Sequence, residues 1–201
     1  MADELVHHHP PDLERRRLTQ ATAAVGGLAI AGAAAPFLAS LAPSERARAQ
    51  GAPVEADASS VAPGMLATIE WRGKPVWVLR RSEDMLKRLA SVAHELEDPE
   101  SRVSSQQPEY ARNATRSRRP ELLVAVGLCT HLGCVPAYQP EPGSLQPGWP
   151  GGFYCPCHGS KFDLAGRVYR GSPAPTNLVV PPYRFAAGNS ILIGEDETTS
   201  G

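Results

Sequence analysis

Hydrophobic and polar positions divide this chain into stretches of different period. Residues 1–17, MADELVHHHPPDLERRR, are mostly polar. Residues 18–42, LTQATAAVGGLAIAGAAAPFLASLA, then run without a single charged side chain. As a helix at about 1.5 Å per residue this run extends roughly 37 Å, enough to cross a hydrocarbon core of about 30 Å. It is rich in Ala and Gly, so the predicted span is suited to packing against other membrane helices, and Pro36 is placed to kink it. Residues 43–60 are Ala-rich and polar without apolar periodicity, and read as a linker whose 43–55 portion is a flexible hinge.

From Met65 the period changes to that of strands. MLATIEW and PVWVLR flank RGK, the pattern of a β-hairpin with Gly73 in the turn. SEDMLKRLASVAHEL (82–96) is helical: Ser82 is a cap, Glu83 and Asp84 suit the first turn, and Met85, Leu86, Leu89, Val92, Ala93 and Leu96 share a face. Residues 98–120 read as an irregular surface loop whose RSRR run (116–119) is a solvated patch, and ELLVAVGL (121–128) as a buried strand. RVYR, NLVV, YRFAA and SILIG are short strands near the C-terminus, with Gly188-Asn189 as a hairpin turn. The sequence therefore predicts a mainly antiparallel β domain over 56–201 with one helical insertion, tethered to a single N-terminal transmembrane helix.

Composition sharpens this picture. The chain has 201 residues, a net charge of −1, 20 prolines and 18 glycines. That allows one domain plus an appendage with many turns, and the near-neutral charge argues against a nucleic-acid partner. Arg15, Arg16 and Arg17 directly before the apolar run predict a cytoplasmic tail over 1–17 and a periplasmic domain by the positive-inside rule. RRRL also reads as a twin-arginine export signal. ARA ending at Ala49 is a possible cleavage site, but the run exceeds the about 7–15 apolar residues of a secretory signal, which favours a retained anchor. His7, His8 and His9 are read as incidental.

The chemistry is concentrated in CTHLGC (129–134) and CPCHGS (155–160), which hold all four cysteines. They offer six donors: Cys129, His131, Cys134, Cys155, Cys157 and His158. Taking Cys129, His131, Cys155 and His158 as ligands gives two thiolates and two imidazoles, which suits zinc or a mixed-ligand iron–sulfur cluster. Zinc fingers usually pair Cys with Cys and His with His, whereas here each segment supplies one of each. That choice leaves Cys134 and Cys157 for a disulfide between the loops, which would persist outside the cytosol.

These two segments resemble the cluster-binding boxes of Rieske iron–sulfur proteins, without a gap. GSPAP (171–175) is similar to the proline loop of the Rieske subunits of cytochrome bc complexes. The resemblance implies one [2Fe–2S] cluster in a small subdomain at about 127–175. It implies Cys129 and Cys155 on the inner iron, His131 and His158 on the outer iron as the working residues, and a Cys134–Cys157 disulfide. Leu132 matches an apolar residue shielding the cluster, and Ser160 a hydroxyl bonded to a bridging sulfide. A tyrosine common in the family is here Phe162. The implied function is electron and proton uptake from ubiquinol within a dimeric complex at the bacterial inner membrane. The implied partners are a cytochrome b subunit and a c-type cytochrome subunit. Other Rieske carriers, such as an arsenite oxidase small subunit, and a structural zinc module are the alternatives. An oxygenase is not expected, because a mononuclear iron domain does not fit in 201 residues.

Overall fold

The structure is a computed structural model that describes residues 12–42, 44 and 51–197. The chain divides into two compact units, Met1–Arg48 and Ala49–Gly201. His7, His8, His9 and most of the expected hinge lie outside the described residues.

The first unit contains α1, Leu13–Ser40, a helix of 28 residues. It starts before the apolar run because Asp12 caps it: the carboxylate accepts from the N–H groups of Glu14 and Arg15 at 3.1 and 3.2 Å. Arg15, Arg16 and Arg17 thus stand in its opening turns, and Pro36 sits inside it without ending it. With a mean hydropathy of 1.7, α1 is long and apolar enough to cross a membrane.

The second unit is built from three antiparallel sheets. The central one has the order β2 (Leu66–Trp71), β3 (Lys74–Arg80), β4 (Leu122–Val126). Arg72 and Gly73 form the β2–β3 turn with φ of 54° and 69°, the paired positive values of a two-residue hairpin. Side chains alternate across this sheet. Val76, Val78, Leu122, Val124 and Val126 pack with Ala56, Tyr183, Ile191 and Ile193. Trp77, Leu79, Leu123 and Ala125 pack on the other side with Cys129, Phe153, Cys155 and Phe162. Burial on both faces is why β4 reads as an unbroken apolar run.

The outer sheet on the first face orders β1 (Val54–Asp57), β9 (Ser190–Ile193) and β8 (Tyr183–Phe185). β1 lies in the stretch expected to be linker. Its four residues alternate apolar and polar, and Ala56 turns into the core opposite Ile191. The third sheet orders β5 (Ala137–Gln139), β6 (Gly152–Tyr154) and β7 (Lys161–Phe162) and carries the cysteine loops.

A further helix, α2, covers Glu83–Ser91 with Ser82 Oγ accepting from the Met85 N–H at 3.3 Å. It is shorter than predicted: Ala93–Glu95 form a 3₁₀ turn, while Val92 and Leu96 still bury beside Trp149 and Tyr169. Two expectations are corrected. RVYR and NLVV form no regular strands; Val168 and Tyr169 make single bridges to Phe162 and Leu96. Residues 177–180 lie along β4, with Val179 accepting from Val126 N–H at 2.7 Å, but Pro181 and Pro182 have no N–H to extend a ladder. The RSRR run is a solvated patch only in part, since Arg119 is exposed and Arg118 half-buried. Arg116 and Ser117 are buried: the guanidinium of Arg116 donates to the Leu178 carbonyl, and Ser117 Oγ accepts from Arg81.

Candidate metal centre

Two strand ends deliver the cysteine loops. β4 continues through Gly127 and Leu128 into Cys129, and β6 runs directly into Cys155. A side chain at Gly127 would collide with the ring of Trp77, which stacks on Phe153 at 4.7 Å between ring centres. That close approach fixes where the first loop leaves the central sheet. In the first loop the Cys129 N–H donates to the Cys134 carbonyl at 2.7 Å, and the Gly133 N–H to the Cys129 carbonyl at 2.9 Å. In the second the Cys155 N–H donates to the Ser160 carbonyl at 2.8 Å, and the Gly159 N–H to the Cys155 carbonyl at 2.9 Å.

A disulfide joins Cys134 to Cys157, with their Cα atoms 6.7 Å apart. Cys129 and Cys155 are free thiols, 3% and 1% exposed. The His131 and His158 rings meet edge to face, with centroids 4.7 Å apart. His131 is half-buried and His158 exposed. Thus the thiols lie inside and the imidazoles toward solvent. Leu132 beside them is 72% exposed and Val135 54%.

Four observations show that these residues fit a metal group with nitrogen and sulfur ligands. His131 Nδ1 is buried without a hydrogen-bond partner, an arrangement that is costly unless something else binds that nitrogen. Burial pushes the Cys155 thiol above its ordinary value; the backbone N–H groups of Cys157 and His158 pull the other way, while neighbouring Cys129 pushes it further up. Those N–H groups point at sulfur, as in loops that cradle negative charge. The donor set, two thiols and two imidazoles, suits a soft metal centre. The sulfurs of Cys134, Cys155 and Cys157 also lie within 4.8 Å of one another, but two of them are spent in the disulfide, so this trio is not a ligand set.

Ser160 is fully buried, and its Oγ accepts from the Ala174 N–H at 3.0 Å. Its own hydrogen therefore remains to be donated. Thr130, which sequence reasoning passed over, donates to the Thr176 carbonyl at 2.6 Å. The GSPAP segment is thus bonded to the second cysteine loop at Ala174, and Thr176 directly after it to the first. The signal was a hydroxyl placed between two candidate ligands. The inter-box loop is held by Arg88 of α2, whose Nη1 donates to the carbonyls of Pro140 and Pro150, and by Trp149, whose indole N–H donates to the Gln139 carbonyl at 3.0 Å.

Comparison with known proteins agrees with this architecture. Residues 52–184 match the Rieske [2Fe-2S] domain. The chain is 56% identical over 186 residues to the ubiquinol-cytochrome c reductase iron-sulfur subunit of Allochromatium vinosum, covering 92% of this chain and 89% of that protein. It is 41% identical over 175 residues to the protein of the same name from Blastochloris viridis, covering 87% and 88%. It is 45% identical over 143 residues to the mitochondrial Rieske subunit of the cytochrome b-c1 complex of Zea mays, covering 71% of this chain and 46% of that one. The chain belongs to the Rieske [2Fe–2S] family.

Proposed function

We propose that this chain is the iron–sulfur subunit of a bacterial cytochrome bc complex, oxidising ubiquinol and reducing a c-type cytochrome subunit in respiratory or photosynthetic electron transport. The names and identities of its bacterial relatives support this reading. The observation that carries it is the gradient of the site: buried Cys129 and Cys155 beneath an exposed His158, beside the apolar Leu132.

When bound, a [2Fe–2S] group supplies a one-electron couple at a potential raised by its two histidine ligands. Cys129 and Cys155 would hold the inner iron as thiolates, and His131 and His158 the outer iron as neutral imidazoles. Each imidazole keeps one ring nitrogen free of metal. His158, facing solvent, takes the quinol proton on that nitrogen, so proton and electron leave the quinol at one place. Leu132 offers an apolar surface that excludes water from the contact. The Cys134–Cys157 disulfide holds the loops together in an oxidising compartment, which agrees with a cytoplasmic N-terminus and a periplasmic domain. The hinge read at 43–55, its part before β1 begins at Val54, is where the domain moves between a cytochrome b subunit and the c-type cytochrome subunit of a dimeric complex.

EPR on reduced membranes, with quinol–cytochrome c turnover, tests this reading. A Rieske signal, lost in His131→Ala together with turnover, is the expected result. An unchanged signal in that variant, or a zinc-loaded and EPR-silent wild-type protein, overturns it.

A further inference from the structure

Among the described residues two buried guanidinium groups have no carboxylate within ion-pair distance. Arg81 is 2% exposed and Arg116 0%. Arg167 pairs with Asp163 at 2.7 Å, but among the described residues neither Arg81 nor Arg116 has an ion-pair partner. Arg81 Nη1 donates to the carbonyls of Thr115 and Leu164 at 2.8 and 3.3 Å, and its Nη2 to Ser117 Oγ at 2.9 Å. Arg116 Nη1 donates to the Leu178 carbonyl at 2.7 Å and, at 3.4 Å each, to those of Ala165 and Gly166. Its Nη2 reaches Gln107 Oε1 at 2.9 Å.

These partners are neutral dipoles, and each guanidinium also keeps a buried Nε without a partner. Burial pulls both down to about 10, which leaves them charged at neutral pH. Among the described residues three buried arginines stand against one buried aspartate, two positive charges in excess. Unpaired charge in a core is destabilising and calls for a counter-charge.

Three of the six carbonyls that they reach, those of Leu164, Ala165 and Gly166, belong to the turn 163–167, which directly follows β7 and so begins three residues after Ser160. Leu164 and Ala165 pack in the same buried cluster as Cys129 and Cys155. We propose that Arg81 and Arg116 are tuning residues for the metal centre, their charge beside the 163–167 turn favouring its electron-bearing state. This rests on the reading that Cys129, His131, Cys155 and His158 hold a [2Fe–2S] group. The charges of two ferric ions, two sulfides and two thiolates cancel, so one added electron leaves one net negative charge. Arg81 and Arg116 attract that charge through a core of low dielectric, where screening is weak. Asp163, on the same turn, opposes it.

The midpoint potential of the full-length protein at fixed pH, from an EPR-monitored redox titration, tests the proposal. Arg116→Gln and Arg81→Gln shift the equilibrium several-fold toward the oxidised form, a tenfold shift being about 59 mV for one electron. Arg116→Lys, which keeps the charge, stays near the wild-type potential. Asp163→Asn shifts it upward. Shifts of the same sign in Arg116→Gln and Asp163→Asn, or no shift in either, overturn the proposal. Should Arg116→Gln fail to fold, Arg81→Gln and Asp163→Asn must still move in opposite directions. Failure of the functional reading is distinguishable, because the wild-type protein would then give no cluster signal to titrate.

Discussion

Gly133 and Gly159 occupy matching places in two loops of one backbone plan. Their φ values are 81° and 82°, and each N–H bonds to the carbonyl of the cysteine four residues earlier. No neighbouring atom lies within 4 Å of where a Cβ would stand at either position. Glycine is required there by the backbone and not by space, since a left-handed φ brings Cβ against the chain's own carbonyl. On this shared frame the side chains differ. The third position is His131 in one loop and Cys157 in the other, the fourth Leu132 and His158, the sixth Cys134 and Ser160.

Gly133→Ala and Gly159→Ala should each cost about 1–2 kcal/mol, the left-handed penalty alone. Gly127→Ala should cost more, because its Cβ runs into the Trp77 ring and disturbs the stack on Phe153. Thermal unfolding followed by loss of visible absorbance measures all three. Equal losses would mean that the Trp77 contact yields freely.

Cys134→Ser or Cys157→Ser should leave a cluster that assembles but bleaches sooner on heating. The bond spans 23 residues, and removing such a link costs about 2–4 kcal/mol. Wild-type heat stability together with an unchanged potential in either variant would show that the loops hold together without it.

The grouping of the candidate donors was legible because two short segments hold every cysteine, while the choice of four ligands among six donors rests on the family resemblance. The hairpin at Arg72-Gly73 and the buried β4 were legible from turn chemistry and an apolar run. β1 was not, since Val54–Asp57 has only two apolar residues in an Ala-rich stretch and owes its place to β9. β5, β6 and β7 are two or three residues long and become strands only through one another. The burial of Arg116 was hidden for a different reason. RSRR looks like a solvated patch by local composition, and only the fold brings the carbonyl of Leu178, 62 residues away, to its guanidinium.

The hinge gives a kinetic test. β1 starts at Val54, so two added prolines within 43–53 fall before the sheet. Proline fixes φ and narrows the conformations open to a moving domain. Cytochrome c reduction should slow while the EPR signal stays intact. Unchanged turnover in a verified double-proline variant would leave residues 43–53 a passive spacer.

Phe162 offers the most direct adjustment of the site. It lies on β7, two residues after Ser160, fully buried in the cluster of side chains that contains Cys129 and Cys155. In the resembling proteins a tyrosine at this place donates its hydroxyl to a cysteine-ligand sulfur. Phe162 fills the same core but has no hydroxyl to give. A donor to sulfur stabilises added negative charge and so raises the potential. Ser160 remains as a donor, since its Oγ accepts from the Ala174 N–H and its hydrogen is left over. Phe162→Tyr should therefore raise the midpoint potential by tens of millivolts, and Ser160→Ala should lower it while freeing the GSPAP segment at Ala174. Protein-film voltammetry at fixed pH reads both shifts, where about 59 mV is a tenfold change for one electron. If Phe162→Tyr keeps the fold and the signal but not the upward shift, its hydroxyl does not reach the ligand sulfur.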